Sequence, residues 1–217
     1  MYEAVRNLRA ASCAFQENDM KTVHYWVMRH GQKDPDKDAL SEKGFEQVKA
    51  SAKHNLSNEK FDAAFFSGMH RVKETAETVL STLGQSLPLT ADQGFGFGWA
   101  ADEKRWPYKE ATNQVEAAKA AGAEETADLW MEKWPPALMV RGRLLGTLLS
   151  RAEALAAAAK GDTVKVLVGS HSPTSELAAL DPKTTPRLRE TDVIHYVVEV
   201  GDEGGKIVKS EVHRAPY

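Results

Sequence analysis

Three short apolar runs in this chain each give way abruptly to residues able to handle a phosphoryl group. Thr22 to Met28 is followed by Arg29-His30-Gly31, and Ala63 to Phe66 by Ser67-Gly68 with Arg71 just beyond. Val164 to Val168 is followed by Gly169-Ser170-His171. If the runs are strands of one open parallel sheet, their C-terminal tips line the crevice where such sheets bind ligands. Two arginines and two histidines then converge. Arginine offers a planar fork of donors to phosphate oxygens. A neutral imidazole can attack phosphorus and hold a phosphoramidate, splitting one displacement into two. A second imidazole can donate to the equatorial oxygens. Such a reaction needs positioning and charge stabilisation more than bond-making help.

The elements that must position these groups are legible. Residues 22–28 are β-branched and aromatic, a buried strand. The loop from Gln32 to Asp38 contains Pro35 and three aspartates and is solvated. Ser41 is a helix N-cap with Glu42 in the first turn, and Phe45, Val48, Ala52 and Leu56 follow at helical spacing. A second helix runs from about His70 to Leu83, with Val72, Ala76, Val79 and Leu83 on one face. Pro88 makes residues 87–90 an edge strand or no strand. Residues 94–108, with Phe95, Phe97, Trp99, Trp106 and Tyr108, read as a pocket wall or lid. Two Ala/Glu-rich helices broken at Gly122 follow. A long helix from Pro135-Pro136 to about Lys160 has Leu138, Leu144, Leu145, Leu148 and Leu155 as its expected buried stripe. Pro173 opens a short helix. Residues 193–200 are a fourth strong strand, and the 201–205 turn leads to a hairpin partner.

Alternation of strands and helices predicts a three-layer α/β/α domain with a mainly parallel central sheet. Residues 99–135 are expected to be a helical insertion and residues 1–20 an N-terminal extension of one domain over 1–217. The 217 residues carry a formal net charge of −3, with 42% hydrophobic and 27% charged residues. That balance argues against a nucleic-acid or membrane-surface partner, since both favour a basic excess. One cysteine, Cys13, leaves no internal disulfide, and residues 1–20 lack the layout of a secretory signal, so a cytoplasmic location is expected. His24 and His195 read as core or edge histidines, and His54 and His213 as surface residues.

Four elements, in order, resemble the histidine phosphatase (phosphoglycerate-mutase-like) superfamily. Arg29-His30-Gly31 is similar to its RHG motif. Leu40-Ser41-Glu42-Lys43-Gly44-Phe45-Glu46-Gln47 resembles its L-S/T-x-x-G-x-x-Q helix start. Ser67 to Ala76 resembles its S-x-x-x-R-x-x-x-T-A element, and Gly169-Ser170-His171-Ser172 the site of its second histidine. The resemblance spans about residues 22–200. It implies that His30 is the phosphorylated nucleophile, that Arg29, Arg71 and His171 complete the phosphate pocket, and that no metal or cofactor is needed.

The same resemblance implies an acid for the leaving group. Asp92-Gln93-Gly94-Phe95-Gly96 has the spacing of the family's E-x-x-F-G, with Asp for Glu, so Asp92 is the candidate; Asp102, Glu103 and Glu110 are rivals. Gly96-Phe97-Gly98-Trp99 replaces the usual continuation, which argues against a mutase. Gln32, Ser67, His70 and Ser172 are candidate substrate contacts. The expected activity is metal-independent hydrolysis of a small phosphate monoester. A primer-dependent phosphomutase and a phosphate- or phosphoprotein-binding module stand as alternatives, and the sequence is compatible with a homodimer.

Overall fold

The computed structural model describes residues 20–96 and 108–217. Its strands are β1 (Lys21–Arg29), β2 (Ala63–Phe66), β3 (Leu89–Ala91), β4 (Thr163–Ser170), β5 (Val193–Gly201) and β6 (Gly204–His213). They form one six-stranded sheet in the order β3-β2-β4-β1-β5-β6. Pairing is parallel from β3 through β1 and antiparallel from β1 through β6. The sheet is therefore mixed, with a mostly parallel core. The 89–91 segment is an edge strand, as Pro88 allows, and the 201–205 turn makes the expected hairpin.

Side chains alternate across a strand, and β1 divides accordingly. Val23, Tyr25 and Val27 face a core built with α5 (Pro136–Ala158). Trp26 and Met28 face the opposite core, built with α1 (Glu42–Asn55) and α2 (His70–Thr82). Helices cover both faces, giving the three layers. Ser41 caps α1 by accepting from the Gly44 amide at 3.0 Å. Glu42 in its first turn and Lys53 and His54 in its last each suit the helix dipole.

Along α5 the buried stripe is Ala137, Val140, Leu144, Leu148, Ala152 and Ala156, a 3-4-4-4-4 spacing that holds one helical face. Leu138 falls out of that phase and is 61% exposed, so its place in the expected stripe is corrected. Leu145 and Leu155 lie at the margin of the core. Truncating Leu148 to alanine, in the fully buried centre, would cost on the order of 2–5 kcal/mol.

The stretch expected to be an insertion forms α3 (Tyr108–Ala120) and α4 (Ala127–Lys133) among its described residues. They build a third cluster from Val115, Trp130, Trp134 and Val140, closed by Leu177 of the short helix α6 (Thr174–Leu177). Its aromatic residues divide. Tyr108 stacks on Trp130 with ring centroids 5.5 Å apart. Phe95 is fully buried against Phe65 and Tyr25, so it is core and not pocket wall. Phe97, Trp99 and Trp106 lie outside the described residues. No helix among the described residues is long and apolar enough to cross a membrane.

Candidate active site

The sheet order makes neighbours of three strand tips that are far apart in sequence. Arg29 on β1 sits opposite Ser170 on β4, and Phe66 on β2 opposite Gly169. The His30 amide donates to the Ser170 carbonyl at 3.1 Å, and the Arg29 amide to the Asp192 carbonyl at 3.1 Å. Two glycines permit the close approach that follows. A Cβ on Gly31 would stand 2.6 Å from the Gly44 carbonyl oxygen in α1, and one on Gly169 would stand 2.8–2.9 Å from Val72 in α2. Both helices thus press directly against the tips.

His30 is held in a defined tautomer. Its Nδ1 lies 2.7 Å from the Gly31 carbonyl oxygen; a carbonyl can only accept, so Nδ1 carries the proton and Nε2 carries the lone pair. Burial pushes the imidazole pKa down to about 4, and Arg71 and Arg29 add to that shift against the Gly31 hydrogen bond. At neutral pH His30 is uncharged and its Nε2 is basic.

Arg71, in the first turn of α2, donates Nε–H to His30 Nε2 at 3.2 Å. Its Nη1 is ion-paired with Asp38. Asp38 also accepts from the His70 amide at 3.0 Å, so this carboxylate occupies the α2 N-terminus where an anion would be favoured. Burial works against its charge, but the His70 amide and then Arg71 hold Asp38 below its ordinary value.

His171 is 2% exposed, and its ring lies 5.4 Å from that of His30 at 72°. Its Nε2 is 2.7 Å from Ser67 Oγ. Burial, then His30 and Arg71, lower its pKa well below that of a free imidazole. His30, Arg71, His171 and Ser67 are thus brought together as two neutral imidazoles, a guanidinium and a hydroxyl.

The remaining candidates fall in different places. Arg29 adds its charge to both histidines, but its Nη1 donates to the Leu188 carbonyl at 2.5 Å. His70 is exposed, its Nδ1 3.1 Å from the Asp38 carbonyl. Gln32 is turned toward the α1 cap, its Oε1 accepting from Ser41 Oγ at 3.0 Å. Ser172 donates to Glu176 Oε1 at 2.5 Å and accepts from Arg187 Nε at 3.2 Å. Gln32 Oε1 and Ser172 Oγ are thus each engaged by the fold.

Asp92, the candidate acid, stands apart from this group. It caps a short 3-10 turn, Gln93–Phe95. Oδ1 accepts from the Gly94 amide at 2.9 Å and Oδ2 from Arg151 Nε of α5 at 2.8 Å. Neither bond leads to the histidines. Glu110 is exposed in the first turn of α3, and Asp102 and Glu103 lie outside the described residues. Sequence reasoning missed Asp38, hidden among the acids of a solvated loop, and the Glu176–Ser172–Arg187 group. The helical start after Pro173 was the one signal that residues 174–177 would pack inward.

A profile of the histidine phosphatase superfamily (branch 1) matches residues 25–208. No curated protein sequence matches the chain. Among solved structures, a phosphoglycerate mutase from Bacillus anthracis is similar at 23% identity, covering 88% of this chain and 94% of its own, with a TM-score of 0.61. A mycobacterial hydrolase is similar at 17% identity over 88% of this chain and 90% of its own, TM-score 0.54. A mycobacterial glucosyl-3-phosphoglycerate phosphatase is similar at 18% identity over 87% and 97%, TM-score 0.51. At these identities the likeness is one of fold.

Proposed function

This chain belongs to the histidine phosphatase superfamily, and from that premise we propose that it hydrolyses small phosphate monoesters through a phosphohistidine on His30. The observation that carries the reading is the state of His30: Nδ1–H committed to Gly31, Nε2 unprotonated, and Arg71 and His171 beside it.

A dianionic phosphoryl group would take the Arg71 Nε–H that now rests on His30, freeing the Nε2 lone pair. Arg29 adds charge and His171 contributes a ring nitrogen. Nε2 then attacks phosphorus in line with the leaving oxygen; the P–N bond forms as the P–O bond breaks. The imidazole becomes cationic, and its Nδ1–H bond to the Gly31 carbonyl strengthens as it does. Water next attacks phosphorus, the P–N bond breaks, and His30 returns neutral with release of inorganic phosphate. The leaving oxygen needs a proton; Asp92 would have to leave Arg151 to supply it. The single cysteine, Cys13, suits a reducing compartment such as the cytoplasm.

The test is hydrolysis of p-nitrophenyl phosphate in EDTA by wild type and His30→Ala, with a rapid quench into alkali, which preserves phosphohistidine. EDTA-resistant turnover lost in the variant, with label on His30, is the expected result. Turnover that survives His30→Ala, or no label, would overturn the covalent reading.

A further inference from the structure

Behind the phosphate pocket lies a carboxyl group that the proposed reaction does not use. Glu176, on α6, is fully buried. Its Oε1 accepts from Ser172 Oγ at 2.5 Å and from the Leu188 amide at 3.2 Å. Leu188 in turn accepts at its carbonyl from Arg29 Nη1 at 2.5 Å. One residue therefore brackets the guanidinium and the carboxyl together. Within that bracket, Glu176 Oε2 and Arg29 Nε are both buried without a hydrogen-bond partner among the described residues. A buried carboxylate oxygen and a buried guanidinium nitrogen left without partners are costly unless a proton or a rearrangement relieves them.

We propose that Glu176 is a positioning residue for Arg29, a buried carboxyl that takes up a proton when an anion binds the pocket and gives it back when the anion leaves. This rests on the reading of the site as a phosphate pocket. With the pocket empty, the Arg29 charge is turned in part toward Glu176 and favours its ionised form. A bound dianion claims that charge, Glu176 loses its electrostatic support, and its neutral form is then favoured in a medium of low dielectric. Arg29 is thereby directed toward the phosphate by protonation of the group behind it.

The surroundings agree. Burial raises the Glu176 pKa to about 7, against Ser172, its own backbone amide, the Leu188 amide and the charge of Arg29, so a small change of field shifts its protonation at neutral pH. The ionisable groups around it are Arg29 on β1, Tyr108 on α3, Tyr196 on β5, and Arg187 and Arg141. Burial holds both tyrosines above their ordinary value, so Glu176 is the member of this group able to exchange a proton near neutrality.

The experiment is calorimetric titration of sulfate, a dianion that does not titrate near neutral pH, in buffers of differing ionisation enthalpy. It is run on wild type, His70→Gln and Glu176→Gln, because His70 is an exposed imidazole next to Arg71 in the first turn of α2. Net proton uptake at pH 7–8 in the first two proteins, absent in Glu176→Gln, is the expected result. Uptake by His30 would lie at lower pH, because its pKa starts from about 4. Sulfate binding without uptake, or uptake that persists in Glu176→Gln, overturns the proposal alone. No sulfate binding by wild type overturns the phosphate-pocket reading and this proposal with it. Should Glu176→Gln not fold, the sulfate-induced infrared difference spectrum of wild type decides the matter: a protonated-carboxyl C=O band that grows on binding supports the proposal, and its absence overturns it.

Discussion

Arg71 donates its Nε–H to the one nitrogen of His30 that is free to act as a nucleophile. The resting site is therefore capped by a hydrogen bond that a phosphate oxygen must replace, and the same guanidinium is anchored from its other side by Asp38. Arg71 serves two partners in fixed directions, which a point charge cannot do.

Arg71→Lys should accordingly lower kcat/KM for p-nitrophenyl phosphate by about 10²-fold, the scale of losing one donor to the transferring group. Steady-state kinetics on folded protein would check it. A loss below about threefold would mean that charge alone, not the fork, is what the site needs.

Ser67 Oγ fixes the ring of His171 through a 2.7 Å hydrogen bond. Ser67→Ala removes one buried hydrogen bond, worth about 1 kcal/mol, and should reduce kcat by roughly five- to tenfold. The melting temperature should change by only a few degrees. An unchanged kcat would show that packing alone orients His171.

Asp92 caps a turn and pairs with Arg151. Asp92→Asn keeps the cap and removes only the ion pair, so it should cost less than about 1 kcal/mol of stability. It should reduce hydrolysis of p-nitrophenyl phosphate and of an alkyl phosphate by the same small factor. A selective collapse with the alkyl ester, whose leaving oxygen must be protonated, would restore Asp92 as the acid.

Stability should fall as pH drops from 7 toward 5. His30 and His195 have folded pKa values lowered to about 4, by burial first and by neighbouring positive groups second. Between those values and the unfolded pKa of about 6.5 the unfolded chain binds more protons, so stability rises with pH across that window. Each group's contribution, at most ~3 kcal/mol, is fully present above the unfolded value and is lost once the pH falls below both. His195, stacked on Trp26 at 3.9 Å and hydrogen-bonded to His24 at 2.9 Å, lies outside the site. His195→Gln should flatten the pH dependence of the melting temperature while leaving turnover intact.

Glu176 acts in the opposite sense. Its folded pKa is raised to about 7 by burial, so its contribution is most favourable below the unfolded value and is lost as pH rises through 7. Glu176→Gln should stabilise the protein at pH 8 by up to ~3 kcal/mol and do little at pH 5. Equal effects at both values would mean that its ionisation is not coupled to folding.

The chemistry at the strand tips was legible because β-branched runs stop at motif residues, and a parallel sheet gathers such ends. The spacing of Asp92 from Gly96 was legible too. What the spacing could not disclose is Arg151, supplied by a helix whose rotation is fixed only by packing. For the same reason Gln32 and Ser172 read as substrate contacts: nothing local says that Ser41 and Glu176 take their hydrogen bonds. Asp38 was one of several acids in a loop until its distance to Arg71 existed. His213, read as a surface residue, is half-buried with its ring 5.3 Å from that of Trp26, because β6 folds back over β5.

β4 lies between β1 and β2 in the sheet, although roughly a hundred residues of chain separate it from β2. Until β4 is inserted, β1 and β2 have no edge in common, and neither His171 nor the carbonyl that holds His30 is in place. A ribosome must therefore emit α3, α4 and α5 before the pocket can close. Nascent chains ending before residue 170 carry His30 and Arg71 on unjoined pieces, with both edges of β1 and the β4-facing edge of β2 exposed to other chains. Catalytic competence therefore waits on closure of two long loops at once, β1 to β4 and β2 to β4, so activity during synthesis reports on completion of the central sheet.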